Sequence, residues 1–146
     1  MSRSLPRGIA TKGTAMKPRL SFSLVEGRYA LAQLPPGSPR PDWARGRVTA
    51  IIESAEGTSV VCAETEVPAN IKQRGGFRCI EIGGSFDLES VGIVAAAVQP
   101  LAAAGISVFA YSTWETDYLL IQEYDFPKAS MALKEAGHSF LSSLFP

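Results

Sequence analysis

The chain is poor in the residues that most often hold metals or attack bonds: 146 residues contain one histidine and two cysteines. Cys62 and Cys79 lack C-x-x-C spacing, and with His138 alone beside them a zinc site would need ligands that no motif supplies. No G-x-S-x-G is present, so Ser/His/Asp hydrolysis has no support. No cofactor is implied. Free cysteines are habitually buried, which makes two reduced interior thiols the expected state. An intramolecular disulfide is the alternative, and a free-thiol titration separates the two.

Charge of one sign is also missing. Fourteen basic residues face fourteen acidic ones, so no positive field favours a nucleic acid and no acidic surplus attracts a basic partner. An uninterrupted apolar run is missing too. The longest stretch, residues 91–108, is broken by Gln99, Pro100, Gly105 and Ser107, which is not how a bilayer span reads. Residues 1–19 contain no acid and five bases but lack the apolar segment of a secretory signal. We expect them to form a disordered basic extension on a cytoplasmic protein. A basic, Ser-rich leader also fits organelle import, although no amphipathic period marks one.

What is present is strand and helix pattern. Leu20–Val25 alternates, Glu26-Gly27-Arg28 has turn chemistry, and Tyr29–Leu34 resumes extended character, so a hairpin is expected. The proline-rich stretch from Pro35 to Pro41 must be a loop. Val48–Ile52 and Thr58–Cys62 are β-branched runs joined by a polar connector, which predicts a second hairpin. The first half, residues 20–72, therefore reads as mostly β with at least four strands. Residues 64–76, with Pro68, Asn70 and Gly75-Gly76, have the composition of a subdomain boundary.

In the second half, residues 73–146, Phe77–Ile82 alternates as a half-buried strand. Asp87 is placed to cap a helix whose stripe is Leu88, Val91, Val94, Val98 and Leu101, with Gly105 as its stop. Ile106–Ser112 and Thr116–Gln122 predict a hairpin. Asp125 and Pro127 open a second helix with Phe126, Ala129, Leu133 and Ala136 inward, and His138–Leu141 closes the set. The order β-α-β-β-α-β folds, by the usual connectivity rules, into a four-stranded antiparallel sheet with both helices on one face. The other face, with Phe109, Tyr111 and Leu119 in its strands, is left for the first half or a second copy to cover.

The run from Gly92 through Pro100, Gly105, Tyr111 and Trp114 to Ile121 resembles the small tandem-ACT proteins of bacteria that are related to CASTOR-type arginine sensors. Val48–Pro68 resembles, more faintly, the degenerate N-terminal ACT unit of that family. The resemblance implies an α+β fold of ferredoxin-like (βαββαβ) ACT domains in tandem, the first degenerate and mostly β. It also implies a homodimer, a small ligand such as an amino acid held between units, and no catalysis. The sensors' arginine is not carried across.

An amino acid needs a cation or backbone N–H groups at one end and a carboxylate or carbonyls at the other. Gly84, Ser85, Phe86 and Asp87 offer a glycine-permitted approach to a helix N-terminus with a carboxylate beside it. An ordinary strand-to-helix turn with an Asp cap explains the same residues. Ser112, Thr113, Thr116 and Asp117 gather hydroxyls and a carboxylate at a hairpin end, with Asp117 the first choice for an ammonium partner; local backbone bonding is its plain alternative. Gly105, Ile106 and Ser107 form the helix-to-strand turn where ACT units meet ligands, and a C-cap accounts for that glycine equally. A glycosidase-like pairing of Glu115 with Asp117 lacks a cleft. The reading is a non-catalytic amino-acid or metabolite sensor. Its alternative is a ligand-free dimerisation or interaction module.

Overall fold

The expected first hairpin is a single strand. In the computed structural model, which describes residues 18–83 and 91–141, β1 runs unbroken from Ser21 to Leu34. Both of its halves pair with β4 (Lys72–Gly83), Val25 opposite Cys79 and Arg28 opposite Arg78. Glu26 and Gly27 are therefore extra residues in a bulge, with Gly27 at φ 97°. A bulge and a turn ask for the same residue types, and only the shared partner strand tells them apart. The first half accordingly has three strands before β4, the others being β2 (Ala50–Ser54) and β3 (Gly57–Ala63) of the expected second hairpin.

The Gly75-Gly76 pair is likewise not a boundary. It lies inside β4, where the register with β1 shifts again. Gly76 has φ 81°, and its N–H donates to Glu64 Oε1 at 2.6 Å, so a carboxylate satisfies the donor that the bulge withdraws from the ladder.

The remaining elements are α1 (Ile93–Ala103), β5 (Phe109–Ser112), β6 (Asp117–Gln122), α2 (Phe126–Glu135) and β7 (Ser139–Phe140). The sheet has seven strands in the order β2-β3-β1-β4-β6-β5, with β7 pairing parallel to the start of β1. In the expected arrangement the closing strand would lie beside β4. Here β1 occupies that place and β7 is displaced to its far side, so the two halves share one sheet rather than forming separate ones.

Both helices cover one face. Their cluster includes Leu20, Phe22, Ile80, Ile82, Leu119 and Ile121 from the sheet, with Leu101 and Leu133 from the helices. Leu119 thus belongs under the helices and not on the open face. Further along the same side, Ala32, Leu34, Val60 and Cys62 are covered by Trp43 and Ile71.

The first helix starts later than its pattern suggests, at Ile93 with Gly92 as N-cap. The buried stripe is Ile93, Ala97 and Leu101, whereas Val91 is 90% exposed. Four-residue spacing from Leu101 selects the alanine, Val94 turns outward, and Val98 packs at the edge of the cluster. In α2 the expected stripe holds at Phe126, Ala129 and Leu133, while Ala136 lies beyond the helix and is exposed.

Pro100 has no N–H, so the carbonyl of Ala96 loses its helical donor. His138 replaces it: Nε2 lies 3.1 Å from Ala96 O, while Nδ1 accepts from Leu20 N–H at 3.0 Å. One neutral imidazole, donating at Nε2, joins α1, the entry to β1 and the end of α2.

Candidate functional site

The sequence-predicted residues divide among three places. Gly84, Ser85, Phe86 and Asp87 lie outside the described residues. Thr116 and Asp117 sit beside the strand end that leads to them, since Asp117 pairs with Ile82 and the Thr116 hydroxyl donates to Ile82 O. Ser112 Oγ donates to Asp117 Oδ1. The Thr113 hydroxyl accepts from the N–H groups of Glu115 and Thr116, each at 3.2 Å. The hairpin end is therefore largely bonded to itself.

Gly105, Ile106 and Ser107 are at the opposite end of β5. Gly105 has φ 76°, and the Ile106 N–H reaches Leu101 O at 2.9 Å, which completes a helix C-cap. Ile106 is buried in the helix-side core, and Ser107 is exposed. The fold does not bring this turn together with the hairpin end.

A third place was not singled out by the sequence. On the helix-free face the strand registers set two rows of side chains across four strands. One is Ser23, Glu81, Tyr118 and Tyr111; the next is Val25, Cys79, Leu120 and Phe109. The polar row borders the apolar row, as alternation in each strand requires. Arg47, from the segment before β2, overhangs them. That segment is fixed at its base, where Ala63 N–H donates to Arg45 O at 2.8 Å. Between overhang and sheet is a cleft of about 480 Å³ lined by Ser23, Val25, Glu26, Arg47, Glu81 and Tyr118, among others.

The electrostatics follow from this packing. Burial pushes the Cys79 thiol up to about 12, with the Glu81 carboxylate adding to the effect. Burial likewise raises the Tyr118 hydroxyl, reinforced by Glu81 and opposed by Arg47. Both cysteines are buried free thiols. The alternation of Phe77–Ile82 could have flagged Glu81 as the polar position facing away from the helices, but no local signal marks Arg47.

Among the described residues, no group of three or more His, Cys, Asp or Glu is arranged to hold a metal, and no helix is long and apolar enough to cross a membrane.

A family model described as an ACT domain matches residues 73–135. No curated protein matches the sequence significantly. Among solved structures, the chain is similar to protein Atu0741 from Agobacterium tumefaciens, at 32% identity and a TM-score of 0.81 over 85% of this chain and 93% of that one. It is also similar to VC0802 from Vibrio cholerae, a protein of unknown function, at 24% identity and a TM-score of 0.65 over 80% and 89% of the two chains. The fold alone is shared with the ligand-free regulatory subunit of aspartate kinase from Thermus thermophilus, at 8% identity and a TM-score of 0.57 over 77% and 94%. This chain carries an ACT domain, a regulatory ligand-binding module, and belongs to the family of the Agobacterium protein Atu0741.

Proposed function

We propose that the protein is a non-catalytic sensor of an amino acid or similar small metabolite, in which a ligand selects one arrangement of the molecule over another and so alters its affinity for a partner. The observation that carries this reading is the ACT domain over residues 73–135. The first half, which continues the same sheet, is its degenerate partner in a tandem pair related to the CASTOR-type sensors. A ligand can shift such an equilibrium only through a difference in affinity for the two arrangements. Thermal denaturation with each common L-amino acid tests the proposal. At least one should raise the melting temperature, by an amount that grows with ligand concentration. Uniform silence across the panel would remove the amino-acid reading.

A second reading is an interaction module that docks or dimerises through the helix-free face. It is favoured by Phe109 and Tyr111, which the molecule leaves half-buried there, and by Trp114, 76% exposed at the hairpin beyond them. Tyr111→Lys separates the readings. A change in mass by light scattering, with any amino-acid stabilisation retained, would assign the face to assembly.

A further inference from the structure

We infer that the cleft under Arg47 is a binding site for a zwitterionic α-amino acid, with the Arg47 guanidinium taking the carboxylate and the Glu81 carboxylate taking the ammonium. This deepens the sensor reading and rests on it, and it moves the ligand away from the hairpin end around Asp117.

Two charges at the cleft lack partners. Arg47 and Glu81 line one cleft, and among the described residues neither makes an ion pair or a side-chain hydrogen bond. Asp117 differs, because one of its oxygens already accepts from Ser112. Glu81 also stands in an unfavourable place for an idle carboxylate. It is half-buried on the helix-free face, between Ser23 and the Tyr118 phenol across the ladders. A partly desolvated carboxylate gains most from a cation that arrives with its own compensating charge.

The opposite wall answers that need. Arg47 is exposed and lines the cleft across from Ser23, Glu81 and Tyr118 of the sheet. Against Arg47 the cleft sets two carboxylates, Glu81 and Glu26, so a group carrying positive and negative charge a few bonds apart would meet both signs at once, whereas a simple anion or amine would meet one. Ser23 and Tyr118, paired in register on either side of Glu81, add hydroxyls for the remaining acceptor and donor positions. Val25 and Val48 supply an apolar wall. The volume of about 480 Å³ lies within the usual range for small-molecule sites, roughly 300–1,000 Å³.

The test is isothermal titration of the full chain with each common L-amino acid, then with the decarboxylated amine and the deaminated acid of whichever binds. Arg47→Gln and Glu81→Gln should each weaken binding roughly 10- to 100-fold, as expected for loss of a charge-assisted bond, while Asp117→Asn should not. The decarboxylated amine should bind Arg47→Gln no more weakly than it binds the unaltered chain, and the deaminated acid should be equally indifferent to Glu81→Gln, because each such pair removes the same contact twice. Arg47 is on an exposed segment, so Arg47→Gln keeps the test valid even if Glu81→Gln fails to fold. Wild-type binding that survives Arg47→Gln, or that Asp117→Asn abolishes instead, would overturn the cleft and leave the sensor reading standing. Absence of binding by any amino acid would overturn both.

Discussion

His138 shows how much one side chain can join. It bonds a carbonyl left without a donor by Pro100 and a backbone N–H at the start of β1, and it stacks edge-on against Phe22 at 5.5 Å between centroids. His138→Ala would leave both backbone groups unmet beside a new cavity, at a cost of about 2–4 kcal/mol in urea denaturation. Pro100→Ala should relieve part of that cost, because a restored N–H can again bond Ala96 O. Cys79 yields a pH prediction. Its thiol is held up to about 12 in the folded chain, whereas an unfolded thiol ionises near 8.5. Between those values the unfolded state releases a proton that the folded state keeps, so stability must fall as pH rises from about 9 toward 12. Tyr29, Tyr111 and Tyr118 are raised in the same sense. Cys79→Ala should therefore flatten the alkaline decline in the urea midpoint without abolishing it.

The long first strand depends on its bulge. Gly27, at φ 97° with open space where a Cβ would go, is constrained by backbone conformation alone, so Gly27→Ala should cost about 1–2 kcal/mol. Thermal melts would show it, and an unchanged melting temperature would contradict the bulge. Local pattern made most elements legible: alternation marked the strands around Phe77 and Leu119, and Asp125-Phe126-Pro127 marked the second helix. It could not show that Glu26-Gly27-Arg28 bulges instead of turning, because that depends on both flanks meeting the same partner. It placed Leu101 and Val98 correctly on the core side of α1 but set Val91 and Val94 inward, because valine is more apolar than the alanine that four-residue spacing puts against the sheet. The hairpin end was readable as a cluster of hydroxyls and acids. The cleft was not, since Arg47 and Glu81 are far apart in the chain and are brought to one cleft only by the pairing of β3 with β1 and of β1 with β4 and by the bond that ties Arg45 to Ala63.

The ACT-matching segment is not a self-sufficient unit. Leu20, at the entry to β1, and Phe22 within it are buried in the cluster beneath both helices, and β1 separates β4 from β7. A fragment spanning residues 73–141 should lack a cooperative thermal transition by circular dichroism, and adding a peptide of residues 18–36 should restore structure. Phe22→Ala in the full chain should cost about 3–5 kcal/mol. The β-α-β-β-α-β order was visible in the sequence, but the insertion of a strand from outside that order was not. Periodicity reports what each segment is and says nothing of which neighbour it takes.

The bond from Leu20 to His138 spans 118 residues, and it has a consequence for how the molecule is made. The first strand leaves the ribosome well before the parallel neighbour at its start and the imidazole that secures it, which follow 118 residues later. Until then β1 can pair with β3 and β4, while the edge at Ser21–Phe22 stays open. Closure over so long a loop favours slow folding, and an open edge invites pairing with other chains. Chains stalled shortly before His138 should therefore be the ones most in need of a chaperone.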